Sequence, residues 1–257
     1  MAAGATVAFP AFTPGHGKPA GADSPGDFLE LIKYRLLTGA KKNSVRDFYK
    51  DAAIPALNRL GISPVGIFTV KYGANDPSLY ALLPHKNLES FLTLTDRLLA
   101  DAEFMKAGDE FLNAPFSDPA FARMEKILLK CFSHQPSVNT PSGLLNNPSR
   151  IYEMRTYESH NIPAARKKIE MFNEGGEIEI FRKTGLFSVF FGETLAGPLM
   201  PNLTYMLVFN DMTERDKKWA DFGNDPGWKK LSADPQYKDT VSNITDVILA
   251  PDACSQV

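Results

Sequence analysis

Apolar and polar positions follow the same order of patterns twice along the chain. Short stretches that alternate apolar and polar residues, typical of strands, flank stretches in which apolar residues recur every three or four positions, typical of amphipathic helices. Each round gives strand, helix, strand, strand, helix, strand, and the rounds are offset by about 123 residues. The repeat predicts an internally duplicated α+β protein.

The first strand of each copy shows the duplication most directly. The sequence FLELIKYR at 28–35 predicts the first strand of copy one, and IYEMRTYE at 151–158 predicts its counterpart. Two pairs of residues correspond in this alignment: Glu30 with Glu153, and Tyr34 with Tyr157.

Helix patterns follow these strands. In copy one, apolar residues at three- and four-residue steps form one helix face, and Gly61 follows as the left-handed cap that ends many helices. The same face is less regular in copy two and ends at Gly185. A second helix is predicted at 88–100 and at 213–222, and final strands at 124–131 and 241–249.

Strand-helix-strand-strand-helix-strand is the ferredoxin-like motif, an antiparallel sheet with both helices on one face. The sheet of the other copy is the simplest cover for the bare face. We therefore predict tandem ferredoxin-like (β-α-β-β-α-β) units that form a pseudo-dimeric α/β barrel. The predicted segments are a flexible tail or signal-peptide remnant at 1–27, a first repeat at 28–132, a linker at 133–149, a second repeat at 150–250 and a C-terminal tail at 251–257.

The N-terminal sequence bears on location. Residues 1–13 are rich in Ala, Gly, Val and Phe, and a Gly/Pro/Ser/Ala-rich stretch follows, as at the end of a secretory signal peptide. We expect an exported or periplasmic protein; a flexible N-terminus of a cytoplasmic protein is the alternative. Export would permit a disulfide between Cys131 and Cys254, and two free thiols are the simpler alternative.

Charge and hydropathy limit the partners. The formal net charge is −2, from 28 basic and 30 acidic residues without a long run of one sign. Nucleic acid and anionic membranes are therefore not expected as partners. No stretch reaches the roughly 20 apolar residues of a membrane span, so we expect a soluble protein.

One stretch of copy two carries a family resemblance. Residues 203–228 read LTYMLVFNDMTERDKKWADFGNDPGW, and with YEMRTY at 152–157 they resemble the NIPSNAP family of the dimeric α/β-barrel superfamily. The matching positions are Tyr205, Leu207, Phe209, Asp211, Arg215, Trp219, Phe222, Asp225, Pro226 and Trp228. The resemblance implies the barrel fold, the pairing of two units and a family of largely undefined activity. Copy one lacks the Trp and Arg positions.

Candidate site residues lie on the strand at 151–158. Strand periodicity puts Glu153, Arg155 and Tyr157 on one face, which we predict to line the lumen. A buried Glu and Arg there must pair with each other or with a ligand, because an unpaired buried charge is costly. Glu30 and Tyr34 would bring a second carboxylate and phenol to the same place. A structural polar network is the alternative to a ligand pocket.

Further candidates come from the loops and the second helix. His85 and His160 each follow a strand and are candidates for a barrel mouth, with a solvent-facing loop as the alternative. Asp211 and Arg215 are spaced as an ion pair that caps a helix, and Trp219 and Trp228 as core residues. No histidine or cysteine pair has metal-ligand spacing, so we expect neither a metal site nor a cofactor.

Two classes of function remain open. The first is a binding or interaction module, with a small hydrophobic or aromatic ligand between the two sheets or a protein partner. The second is a cofactor-independent monooxygenase or isomerase, in which Tyr157, Arg155 and Glu153 polarise an aromatic or quinol-like substrate and His85 or His160 is the base. Haem degradation is a weaker third, because no histidine has a clear helical position at the lumen. Whether the pseudo-dimeric chain associates further stays open.

Overall fold

The computed structural model describes residues 26–74 and 77–257; the predicted signal-peptide remnant lies outside them, apart from its last two positions. Eight strands of the described chain form one closed antiparallel barrel in the order β1-β3-β2-β8-β5-β7-β6-β4. The strands are β1 Phe28–Arg35, β2 Gly66–Tyr72, β3 Ser78–His85, β4 Arg123–Cys131, β5 Ile151–Glu158, β6 Phe187–Ala196, β7 Asn202–Phe209 and β8 Asn243–Pro251.

The helices of each copy pack on the outer face of its sheet. In copy one they are α1 Lys41–Phe48, α2 Ile54–Arg59, α3 Leu88–Leu99, α4 Ala102–Ala107 and α5 Asp109–Leu112. In copy two they are α6 Ile162–Phe172, α7 Glu177–Lys183, α8 Met212–Asn224 and α9 Pro226–Ser232, followed by a 3₁₀ turn at Pro235–Tyr237. Each copy thus has its own helix-facing core in addition to the barrel interior.

Two seams join the copies. Copy one contributes the sheet β4-β1-β3-β2 and copy two the sheet β8-β5-β7-β6, each in ferredoxin-like order. The edge strand β2 pairs with β8, and β4 pairs with β6. The predicted fold of tandem ferredoxin-like units in a pseudo-dimeric barrel is confirmed. Closure leaves neither sheet with an unpaired edge.

Apolar side chains fill the lumen where β1 and β5 begin. Successive residues of a barrel strand point alternately inward and outward, so every second residue of each strand belongs to the interior. The fully buried side chains at this end come from both copies: Leu29, Phe68, Leu129, Tyr152, Phe190 and Leu249.

The prediction that Glu153, Arg155 and Tyr157 line the lumen is wrong. Tyr152 and Met154 point into the barrel cluster, whereas Tyr157 packs in the helix-facing core of copy two. Both faces of β5 mix apolar and polar residues, so the strand alone does not indicate its inner face. The barrel interior accepts Tyr152 and Met154, and the helix layer supplies Arg215 and Trp219 as hydrogen-bond donors to Glu153.

The first helix of each copy is less regular than its pattern predicts. The left-handed residues Gly61 and Gly185 do follow these helices, with φ of +76° and +75°. In copy one, a π-helical segment at Tyr49–Ala53 separates α1 from α2. In copy two, α6 and α7 are separated by a turn that contains Gly176.

The two cysteines lie in different apolar cores. Cys131 and Cys254 are both free, the first buried in the barrel and the second packed against the helices of copy one. Within residues 26–74 and 77–257, no helix is long and apolar enough to cross a membrane.

Candidate ligand cavity in the barrel mouth

The end of the lumen opposite the filled end contains a cavity of about 390 Å³ between the two sheets. Residues of both copies line it. Copy one contributes through β1, β3 and β4, and copy two through β5, β6, β7 and β8. Ala74 and the β6–β7 loop residues Pro198 and Leu199 border the cavity as well.

A polar row crosses the wall that copy one provides. Lys33 on β1 pairs in register with Tyr80 on β3 and with Glu125 on β4. Directly paired residues of adjacent strands point to the same face of a sheet, so these three side chains form one row in the cavity wall.

Copy two provides a row of hydroxyl groups at the equivalent level. Thr156 on β5 pairs in register with Thr204 on β7 and with Thr245 on β8, and all three line the cavity. Thr156 and Lys33 are each the sixth residue of their strand. The duplicated scaffold therefore presents a charged row from one copy and an uncharged row from the other.

Apolar side chains lie one level deeper. Leu31 and Ile127 from copy one, with Met154 and Val247 from copy two, line the inner part of the cavity. A mostly apolar pocket with a few converging polar groups is the usual form of a small-molecule site.

Lys33 is the least compensated charge in this cavity. Only 8% of the surface of this residue is exposed. Among the described residues it has no ion-pair partner, and its Nζ lies 5.9 Å from the ring centroid of Tyr80. Burial lowers the pKa of Lys33; the Glu125 carboxylate opposes this shift and the Arg35 charge adds to it.

The described neighbours of Lys33 do not form an ion pair with it. Burial, together with the nearby Glu125 charge, raises the pKa of Tyr80 to about 12, so its phenol stays protonated at neutral pH. Glu125 Oε1 binds Arg35 Nη2 at 2.7 Å. A buried cation without a counter-ion is costly, so a ligand that accepts hydrogen bonds from Lys33 would relieve that cost.

The seven predicted pocket residues lie elsewhere. The cavity is lined by none of Glu153, Arg155, Tyr157, Glu30, Tyr34, His85 and His160. That these residues bind a ligand stays a prediction.

Glu153 is fully buried between β5 and α8, where it accepts hydrogen bonds from four donor atoms. Arg215 donates from Nη2 to Oε1 at 2.7 Å and from Nε to Oε2 at 3.1 Å. Trp219 Nε1 donates to Oε2 at 2.6 Å, and Arg155 Nη1 to Oε1 at 3.3 Å. Glu153 thereby joins the sheet to the helix.

The two phenols that we expected at the pseudo-dyad belong to separate pairs outside the lumen. Tyr157 and Tyr205 share a hydrogen bond of 2.9 Å between their hydroxyl groups in copy two. Tyr34 and Tyr49 share one of 3.1 Å in copy one. Each pair joins a strand to another element of its own copy.

Glu30 and the two histidines also differ from expectation. His85 is fully buried, with Nε2 3.3 Å from Glu30 Oε2 and Nδ1 3.0 Å from Ser90 Oγ, so it is not at a barrel mouth or in solvent. Glu30 Oε1 also binds Lys126 Nζ at 2.7 Å. His160 lies exposed in the β5–α6 loop. The helix layer over β3 buries His85 because α3 begins three residues after it.

The second helix of copy two has its predicted start, with a different ion pair. Asp211 caps α8 by accepting a hydrogen bond from the Glu214 backbone N at 2.8 Å. Arg215 binds Glu153 rather than Asp211, because the Asp211 carboxylate is used at the helix N-terminus. Trp219 and Trp228 pack against Phe222 in the helix-facing core, as predicted.

Two segments of the chain, residues 29–135 and 152–256, match the family model of NIPSNAP. The chain belongs to the NIPSNAP family. A NIPSNAP-like domain protein of Burkholderia xenovorans is 22% identical over 41% of this chain and 88% of its own, with a TM-score of 0.37. A NIPSNAP family protein of unknown function from Agrobacterium tumefaciens is 26% identical over 40% of this chain and 88% of its own, with a TM-score of 0.34.

A longer structural match covers both copies of this NIPSNAP protein. A protein of Lactobacillus acidophilus that is named as a monooxygenase covers 88% of this chain and 94% of its own, at 11% identity and a TM-score of 0.57. At that identity the likeness shows the fold alone. No curated protein matches the chain.

The sequence did contain a signal for the cavity. Leu29, Leu31 and Lys33 alternate along β1, so the face that carries two buried leucines ends in a lysine. This pattern indicates that Lys33 lies at the margin of the interior. Only the strand register shows that Tyr80, Glu125 and the three threonines lie beside this cavity. In the part of the chain that the structure describes, no group of His, Cys, Asp and Glu is placed to hold a metal ion.

Proposed function

We propose that this NIPSNAP protein is a binding module that holds a small, largely apolar ligand in the barrel cavity, with an oxygen acceptor of the ligand against Lys33. The observation that carries the proposal is a buried lysine without an ion-pair partner among the described residues, in the wall of an otherwise mostly apolar cavity. The side chain needs an acceptor, and the cavity has room for one.

Size and lining define the ligand. A volume of about 390 Å³ lies in the lower part of the range of small-molecule sites. Leu31, Ile127, Met154 and Val247 suit an aromatic or branched apolar body. The polar end of the ligand would receive hydrogen bonds from Lys33 and from the protonated hydroxyl of Tyr80, and the threonine hydroxyls of copy two would face its other side.

Titration calorimetry with small aromatic carboxylates, phenols and the parent hydrocarbons tests this proposal. We expect the oxygen-bearing compounds to bind and Lys33→Met to weaken them by about tenfold to a hundredfold, because a hydrogen bond to a charged group contributes about 1.5–3 kcal/mol. Lys217→Met on the exposed face of α8 is the matched control and should bind as the unchanged protein does. Equal affinities of the Lys33→Met and Lys217→Met variants, or no binding by any compound, would refute the proposal.

The alternative is a cofactor-independent monooxygenase or isomerase. Structures of similar fold include proteins named as monooxygenases and one described as anthrone oxidase-like, the latter at 8% identity and a TM-score of 0.51. The predicted bases His85 and His160 do not line the cavity, so an enzyme of this geometry would depend on Lys33, Tyr80 or Glu125. Oxygen uptake with an anthrone or a quinol as substrate tests this alternative, and uptake that Lys33→Met, Tyr80→Phe and Glu125→Gln each leave unchanged would exclude the cavity as its site.

A further inference from the structure

Lys33 has the environment of an amine nucleophile. A lysine reacts with carbonyl compounds through its neutral form, which burial in an apolar pocket favours. Lys33 is buried, has no ion-pair partner among the described residues and lines a cavity with apolar walls. A lysine held by a carboxylate would instead stay protonated.

We propose that Lys33 captures small apolar aldehydes and ketones in the barrel cavity as a reversible imine. This inference rests on the proposed function, since it requires that the cavity admit a small apolar ligand. It adds two features to that function: the ligands are carbonyl compounds, and they are held by a covalent bond.

The neighbours of Lys33 suit that step. The neutral amine adds to the carbonyl carbon and forms the C–N bond while the hydroxyl of Tyr80 donates a proton to the carbonyl oxygen. The C–O bond then breaks, and the oxygen leaves as water with the two protons that the amine has lost, relayed through Tyr80. No oxidant or reductant is consumed.

Two groups stabilise the product. The neutral imine becomes a cation when it takes up a proton from solvent, and Glu125 in the adjacent register position of β4, which is also paired with Arg35, contributes a negative charge near it. The ring of Tyr80, whose centroid lies 5.9 Å from Nζ, adds a favourable cation–π contact. The pKa of Tyr80, raised to about 12, keeps its phenol available as a proton donor.

The walls of the cavity set the selectivity. Leu31, Ile127, Met154 and Val247 surround the space beyond Lys33 and leave little polar surface for a sugar. An aromatic or branched aldehyde buries its apolar body there and places its carbonyl carbon at the polar row. The exposed Lys71 also has a phenol nearby, with its Nζ 5.9 Å from the ring centroid of Tyr72, but both residues are exposed and do not line an apolar cavity.

Reductive trapping tests the proposal on the full chain. Benzaldehyde and cyanoborohydride convert an imine into a stable benzylamine, which peptide mass spectrometry locates. We expect one benzyl group on Lys33, formed several-fold faster than on any exposed lysine. Tyr80→Phe should slow the labelling of Lys33 without moving it, and Lys33→Arg, which keeps the positive charge, should abolish this fast phase.

A parallel binding measurement with benzoate separates the two proposals. If benzoate binds in a Lys33-dependent way while benzaldehyde labels all lysines at similar rates, covalent capture is overturned and the binding module stands. If benzoate fails to bind and the label is spread over the surface, both proposals fail. Fast labelling of Lys33 that benzoate slows supports both.

Discussion

At the scale of single residues, two buried lysines of the protein differ in whether a carboxylate pairs with them. Lys168 Nζ binds Glu177 Oε2 at 2.7 Å, and both side chains are more than nine-tenths buried. Burial raises the pKa of Glu177, and the Lys168 charge opposes that shift. In the part of the chain that the structure describes, Lys33 has no such partner, which is why we assign the ligand to Lys33.

The pair of Lys168 and Glu177 provides a stability prediction. Lys168→Met should cost about 3–5 kcal/mol of unfolding free energy, because it leaves a buried carboxylate without its partner. The double variant Lys168→Met with Glu177→Met should regain most of that loss, since apolar side chains of similar volume replace buried ion pairs well. Urea unfolding measures both, and a double variant as unstable as the single one would contradict the prediction.

The unfolding free energy that the Lys168→Met variant loses should also depend on pH. A carboxyl group whose pKa is raised in the folded state makes the protein less stable as the pH rises from the pKa of the group in the unfolded chain toward its pKa in the folded protein. Without Lys168, burial acts on Glu177 unopposed. The variant should therefore lose more unfolding free energy, relative to the unchanged protein, at about pH 7 than at about pH 5, where protonation of Glu177 removes the buried charge.

At the scale of elements, Glu153 fixes α8 to β5. Arg215 and Trp219 of α8 both donate to its carboxylate. Glu153→Gln should cost about 3 kcal/mol, because the two nearby guanidinium groups lose a buried counter-charge. Glu30→Gln, at the equivalent strand position, is the matched comparison and should cost less, because its partner Lys126 is 36% exposed and can turn to water.

Ligand binding distinguishes the roles of these two glutamates from that of Lys33. Neither glutamate lines the cavity, so both variants should retain the affinity for aromatic carboxylates. Unfolding curves and titration calorimetry together check the prediction. A loss of ligand affinity in Glu153→Gln without loss of stability would instead favour the helix-facing side of β5 as the binding site.

Element order and strand pairing within each copy follow from the sequence, whereas the choice of the inward faces of β1 and β5 does not. The repeat, the caps at Gly61 and Asp211 and the alternation along β1 all act locally, so they are visible in the sequence. The inner face of β5 is set by packing inside the closed barrel and by donors 62 and 66 residues away. The π-helical segment at Tyr49–Ala53 likewise has no local signal.

At the scale of the whole molecule, duplication within one chain allows the two halves of the barrel to differ. An identical pair of subunits would present the same row twice. Here Lys33, Tyr80 and Glu125 face the level at which copy two has Thr156, Thr204 and Thr245. The cationic residues that line the cavity, Lys33 and Arg35, therefore both come from copy one, and copy two places no repelling charge opposite them.

Closure of the barrel should hold the two copies together without the peptide link between them. A protease site inserted at Gly143, in the exposed stretch between β4 and β5, allows the folded chain to be cut there. The two fragments share both seams, β2 with β8 and β4 with β6, and bury the apolar lumen. Separation would expose two sheet edges and that apolar face on each fragment. We therefore expect the cut protein to elute in size-exclusion chromatography at the position of the uncut control and to separate into fragments only in denaturant. Fragments that separate under native conditions would show that the linker, rather than the barrel, joins the copies.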